Sequence, residues 1–345
     1  MIVRPVAASC HQVVPDRARA VTWVAPGDAR DLERLVEWCR TVGPVIAESP
    51  DGALPPAIVE SLAVVTWNVH VGGGDIADVV ARLRRGEFSQ GRAVTHFVLL
   101  LQEAYREGSN VPADVPAGSP MPRPIVERPP NGVRRDIRSL ARSERLHVLY
   151  APAMRNGAIA VSEDRGTAIL STLPLADLQV IELPFERQRR VALAATVAGE
   201  TSPGAPWQLR LANVQLDTSL ALTRGGPFVA RRRQAEALVE ALEGGPDPSV
   251  SGELRGTSDA LPLVLGGDFN TWLGPREPAL EVLRRAFPET PRAGNASTWR
   301  GPLGAHAVLD HVFVRGRFRS VTTRRLPGRF GSDHYPLLTI VGFRS

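Results

Sequence analysis

The chain contains no lysine: all 41 of its basic residues are arginine, set against 36 acids for a formal charge of +5. Without lysine there is no Schiff-base amine and no P-loop, whose lysine reaches the phosphates. The isoelectric point of about 10.1 reflects the pKa of arginine more than an excess of positive charge. Cysteine is scarce, limited to Cys10 and Cys39, which predicts neither a disulfide framework nor a cysteine-based zinc site. Long hydrophobic runs are missing, and the longest (97–101 and 261–265) are strand-sized, so no helix is expected to span a bilayer. The stretch before Cys10 is too short for the apolar core of a secretory signal, although Val6-Ala7-Ala8-Ser9-Cys10 is similar to a lipoprotein cleavage site. The compartment is therefore not readable: cytoplasmic by default, exported or lipid-anchored if the true start lies upstream.

What is present describes a folded, loop-rich protein. The 345 residues are 43% hydrophobic and 22% charged, which argues against wholesale disorder, and 31 Gly with 30 Pro require many turns. Arginine is unevenly placed. Seven Arg face three acids between Met121 and Arg145, and six face none between Arg315 and Arg329. Local positive zones suit a phosphate-bearing substrate, including nucleic acid.

The pattern divides the chain into an N-terminal extension, residues 1–60, and a larger domain, residues 61–345. The extension carries an amphipathic helix over 28–42, capped by Asp28 and ended by Gly43-Pro44. In the larger unit, more than eight apolar strand segments alternate with a few helices, among them 75–83, a basic helix at 133–146, 228–242 and 277–287. Such a count suggests two packed sheets with helices outside. A Pro-rich loop over 108–131 is long enough to imply a role at a site.

Polar residues stand at the ends of these apolar segments. VVTWN ends in Asn68, FVLLLQE in Glu103, and LVLGGDFN in Asp268 and Asn270; LDHVFV opens with Asp310, and GSDHYPLL with Asp333 and His334. Strand ends gathered at one sheet edge give a rigid platform for chemistry. Carboxylates and amide oxygens are hard ligands suited to Mg²⁺ or Mn²⁺, and a histidine near a carboxylate is a natural general base.

In this order, TWNVH, LLLQEAY, DRGTAILSTLPL, GGDFNTW, LDHVFV and GSDHYP resemble the endonuclease/exonuclease/phosphatase superfamily, the DNase I-like fold. The resemblance implies a four-layer α/β/β/α sandwich and metal-dependent phosphoester hydrolysis. It makes Glu103 the principal ligand of Mg²⁺ or Mn²⁺, with Asn68 beside it and Asp333 as a further ligand. It makes Asp268 the group that positions the attacking water, Asn270 a phosphate contact, and His334, oriented by Asp310, the proton acceptor or phosphorane stabiliser.

One segment departs from the family pattern. An Asn-x-His-Leu stretch is replaced by Asn213-Val214-Gln215-Leu216, and glutamine can donate a hydrogen bond to phosphate but cannot carry a proton. Asn213, Gln215 and Arg190 are the expected phosphate contacts, and Arg189 and Arg155-Asn156 are further candidates. His70, His96, His147 and His306 read as structural or surface residues. The expected function is a phosphodiesterase or nuclease. The alternatives are a phosphatase or sphingomyelinase-like enzyme, or a binding module weakened at Gln215. A monomer is expected.

Overall fold

Apolar strands with no polar alternation are buried on both faces, and strand Ser61–Asn68 shows how the layers arise. Leu62 and Val64 point to one hydrophobic cluster, Ala63, Val65 and Trp67 to another. The first cluster lies between two sheets; the second lies under helices Ile76–Arg84 and Ile137–Ser143. A third packs helices Pro227–Glu243 and Pro278–Ala286 on the far side of the second sheet. The result is the expected α/β/β/α sandwich.

The computed structural model describes residues 10, 13–14, 21–25, 28–51, 58–114, 133–155, 162–218, 227–244, 261–291 and 296–344. One mixed sheet runs Val13–Val14, Val45–Glu48, His147–Arg155, Glu163–Ser171, Phe97–Glu107, Ser61–Asn68, Leu337–Gly342, Ser320–Arg325. The other runs Asp310–Arg315, Leu263–Asp268, Pro206–Gln215, Val191–Glu200, Ala176–Glu182, Thr22–Val24. No helix among the described residues is long and apolar enough to cross a membrane.

Strand pairing crosses residue 60 in both sheets: Val45–Glu48 pairs with His147–Arg155, and Thr22–Val24 pairs with Ala176–Glu182. Cys10 and Cys39 form a disulfide, sealed in a small cluster with Leu35 and Val42. Two cysteines 29 residues apart carry no framework signal, and the pairing depends on helix Ala29–Cys39 presenting Cys39 on its buried face. Val6 to Ser9, which carry the lipoprotein-like pattern, lie outside the described residues. The basic helix is shorter than expected, Ile137–Ser143, because Asp136 caps it by accepting from the Ser139 backbone.

Candidate active site

The inter-sheet layer is apolar along most of its length and turns polar at one end. In Ser61–Asn68, the residues after Leu62 and Val64 on that face are Thr66 and Asn68; in Pro206–Gln215, Leu209 and Leu211 are followed by Asn213 and Gln215. Asp268 follows Val264 and Gly266 in the same way. Period-two alternation thus delivers side chains from neighbouring strands into one pocket.

Glu103 arrives by a different route. Strand Phe97–Glu107 does not end at Leu101 but bulges between Leu101 and Ala104, and these two residues both face the helix-side cluster. Two residues rather than one lie between them, so Gln102 and Glu103 both escape the helix side. Glu103 has φ of 53°, a left-handed conformation uncommon for a residue with a side chain. The bulge is what brings its carboxylate to the other acids.

Around that carboxylate the contacts are close. Glu103 Oε1 accepts from Gln215 Nε2 at 2.9 Å and Asn68 Nδ2 at 3.4 Å, and Oε2 lies 3.5 Å from Arg165. The same two amides donate to Asp268 Oδ2, Asn68 at 3.0 Å and Gln215 at 3.3 Å. Burial opposes ionisation of Glu103, yet Arg165 and Gln215 hold its carboxyl below the usual range. Burial pushes Asp268 up to about 6, against the pull of His334.

His334 Nδ1 bonds Asp310 Oδ2 at 2.8 Å, with both residues buried. Burial disfavours the imidazolium, but the Asp310 carboxylate and its hydrogen bond outweigh it and push His334 up to about 10. At neutral pH this imidazole is therefore a cationic hydrogen-bond donor rather than a ready base. Ser332 Oγ holds the loop, donating to Asn68 O at 2.7 Å and accepting from His334 N at 3.0 Å. Because the folded pKa of His334 is raised, the pair's stabilisation is complete below pH 6.5 and lost as pH rises through about 10. Thermal melts in EDTA should show Asp310→Asn most destabilising below pH 6.5, with the gap to the parent closing towards pH 10.

Asp333 is held well below the carboxylate range, to about 2: burial opposes this, but hydrogen bonds from His70 and Trp299 and the charge of His334 prevail. Its Oδ1 is 2.7 Å from His70 Nδ1, and Oδ2 accepts from Trp299 Nε1 at 2.8 Å. His70, read from sequence as structural or surface, thus belongs to the site. So does Arg165, inside a quoted motif yet unassigned. The only sequence signal for either was its place within a quoted motif, TWNVH for His70 and DRGTAILSTLPL for Arg165.

Not every expected contact reaches the pocket. Asn213 donates to Leu101 O at 2.9 Å and Ala168 O at 2.7 Å and accepts from Gln102 at 2.6 Å, so its amide braces the two sheets instead of facing a phosphate. Arg190 is buried and donates to Gln215 Oε1 at 2.6 Å, fixing that amide from behind. Arg189 is paired with Glu182, and Arg155 with the carbonyls of Pro112 and Ala113; Asn156 lies outside the described residues. Asn270 Nδ2 donates to Leu216 O at 3.0 Å and Asp268 Oδ2 at 3.3 Å. Replacing Asn213 by Leu would take a donor from two carbonyls in a dry layer and leave the Gln102 amide with only Thr66 and Leu100. Urea denaturation should record a loss on the order of 2–4 kcal/mol.

Glu103 and Asp268, joined through the shared amides of Asn68 and Gln215, and Asp310 close to Asp268 concentrate negative charge that favours a cation. Donor atoms of Asp268, Asp310 and His334 all lie within 4.8 Å of one another, and Asp310 Oδ1 is buried with no hydrogen-bond partner. The carboxylate oxygens form a hard set that fits Mg²⁺ or Mn²⁺, with cationic His334 beside them as a hydrogen-bond donor. Asn68 turns its NH2 to the acids and its Oδ1 to the His70 backbone at 2.9 Å, so the ligand role expected of it requires the amide to turn over.

A model of the Endonuclease/Exonuclease/phosphatase family matches residues 65–334. The crystal structure of an endonuclease/exonuclease/phosphatase from Beutenbergia cavernae DSM 12333 is similar in fold, with a TM-score of 0.53 and 19% identity over 83% of this chain and 72% of that one. An endonuclease/exonuclease/phosphatase family protein from Leptotrichia buccalis C-1013-b gives 0.52 and 12% identity, over 82% of this chain and 100% of its own. No curated protein matches the chain by sequence.

Proposed function

Since the chain belongs to the endonuclease/exonuclease/phosphatase family, we propose that it is a Mg²⁺- or Mn²⁺-dependent phosphodiesterase whose substrates include nucleic acid. The observation that carries this reading is the meeting of Glu103, Asp268 and the His334–Asp310 pair at the polar end of the inter-sheet layer. Glu103, with Asp268, Asp310 and Asp333 nearby, would hold the cation, which when bound polarises a phosphoryl oxygen and neutralises developing charge.

The chain's own groups do the rest. Asp268, raised to about 6, is poised to take a proton from an attacking water near neutral pH. Cationic His334 donates towards the phosphoryl oxygens, and Asp310 fixes its ring. Asn68, Asn270 and Gln215 orient Asp268, and Gln215 is itself oriented by Arg190. Gln215 donates hydrogen bonds but cannot supply a proton to the leaving group.

The test compares bis(p-nitrophenyl) phosphate with p-nitrophenyl phosphate, each with Mg²⁺ or Mn²⁺ and with EDTA. Diester turnover that EDTA abolishes is expected. Turnover of the monoester alone would overturn the reading in favour of a phosphatase, and turnover of neither would leave a binding module.

A further inference from the structure

Beside the catalytic loop lies a cavity of about 560 Å³ lined by Ser297, Arg300, Gly301, Gly304, His306 and Arg329. Three of these six side chains are basic and none is acidic. The wall is a short hairpin, in which Trp299–Arg300 pairs antiparallel with His306–Ala307. This hairpin is bonded directly to the loop that carries the site. Arg300 N donates to Asp333 O at 2.9 Å, Tyr335 N donates to Thr298 O at 2.7 Å, and Ser332 N donates to Arg329 O at 2.9 Å. Arg300 and Arg329 are thus each fixed through the backbone to the segment holding Asp333 and His334.

Two indoles lie alongside. Trp299, bonded to Asp333, meets Trp272 edge to face at 4.9 Å, and Trp272 follows Asn270 by two residues. Both rings are partly exposed. A ring pair next to the reacting centre, followed by a basic cavity, matches a single polynucleotide strand, in which bases stack on aromatic rings while phosphates track cations. A polyphosphorylated small molecule or a lipid headgroup would use the cations and leave the rings idle.

We infer that Arg300, His306 and Arg329 form a second phosphate-binding site, which takes a phosphate neighbouring the scissile one on a single nucleic-acid strand. The inference rests on the phosphodiesterase reading but is tested without hydrolysis. Binding of fluorescein-labelled oligothymidylate is followed by anisotropy in EDTA across a salt series. The double variant Arg300→Ala/Arg329→Ala should weaken binding about tenfold or more and flatten the log–log salt slope by about 1.4, the share of two phosphate contacts on a single strand. Arg300→Lys/Arg329→Lys should restore the slope, which a misfolded protein could not do. Trp272→Ala should weaken binding with the slope unchanged.

An unaltered affinity and slope in the Ala double variant would overturn the site. So would a loss confined to inositol hexakisphosphate or to anionic phosphatidylserine vesicles. If the parent hydrolyses bis(p-nitrophenyl) phosphate while the oligonucleotide slope stays put, only this site falls. If it binds as expected but hydrolyses neither chromogenic ester, the catalytic reading falls instead.

Discussion

Glu103→Gln should abolish Mg²⁺-dependent turnover of bis(p-nitrophenyl) phosphate, by about a thousandfold or ~4 kcal/mol of transition-state stabilisation, while leaving the protein folded. The substitution keeps the shape of the side chain and the bulge beneath it, and removes one negative charge. An amide oxygen still accepts from Gln215 and Asn68, so the local network survives. What disappears is the negative charge proposed to hold a cation in the pocket. Because Arg165 and Gln215 favour the ionised carboxylate over its neutral form, neutralising it should lower the melting temperature slightly without unfolding the protein. A stable protein with no turnover and weakened Mn²⁺ binding by calorimetry is the expected pair of results. Parent-like turnover would remove Glu103 from the chemistry.

His334→Asn should lower kcat by about 10³-fold with KM little changed, because its cationic donor serves the transition state more than the bound ester. Asp310→Asn should reproduce part of that loss. Its neutral amide no longer holds the imidazole as a cation, and the effect should deepen as pH rises above the ordinary histidine range. If His334 were instead a base, activity would demand its neutral form, and the parent would gain rate up to about pH 10. A rate profile from pH 6 to 10, roughly the interval between the ordinary and raised imidazole values, separates the two roles.

Much of this was legible from residue order. Asn68, Asp268, Asp310 and His334 lie where strand-end reasoning places them, since alternation fixes which face a residue takes once its strand is known. Glu103 was found for a partly mistaken reason: it sits in a mid-strand bulge, and no periodicity signals a bulge. Asn213 was misplaced because a polar residue on an apolar strand can face a ligand or the opposite sheet, and only packing decides; Arg190, just before strand Val191–Glu200, turns to Gln215 within its own sheet. His70 was missed because its partner, Asp333, is 263 residues away. Val45–Glu48 and Thr22–Val24 were overlooked as strands because four and three residues are too few to display a pattern.

Those short strands matter for how copies of the chain meet one another. A sheet margin with free N–H and C=O groups invites a stranger's backbone to add on. Here the segment before residue 60 hems both sheets on one side, with Val13–Val14 and Val45–Glu48 on one and Thr22–Val24 on the other. A version trimmed to residues 61–345 would bare His147–Arg155 and Ala176–Glu182, longer and mostly apolar margins, and would uncover the niche of Trp38. Such a fragment should associate through its raw borders and elute from a sizing column as a larger species than the whole chain.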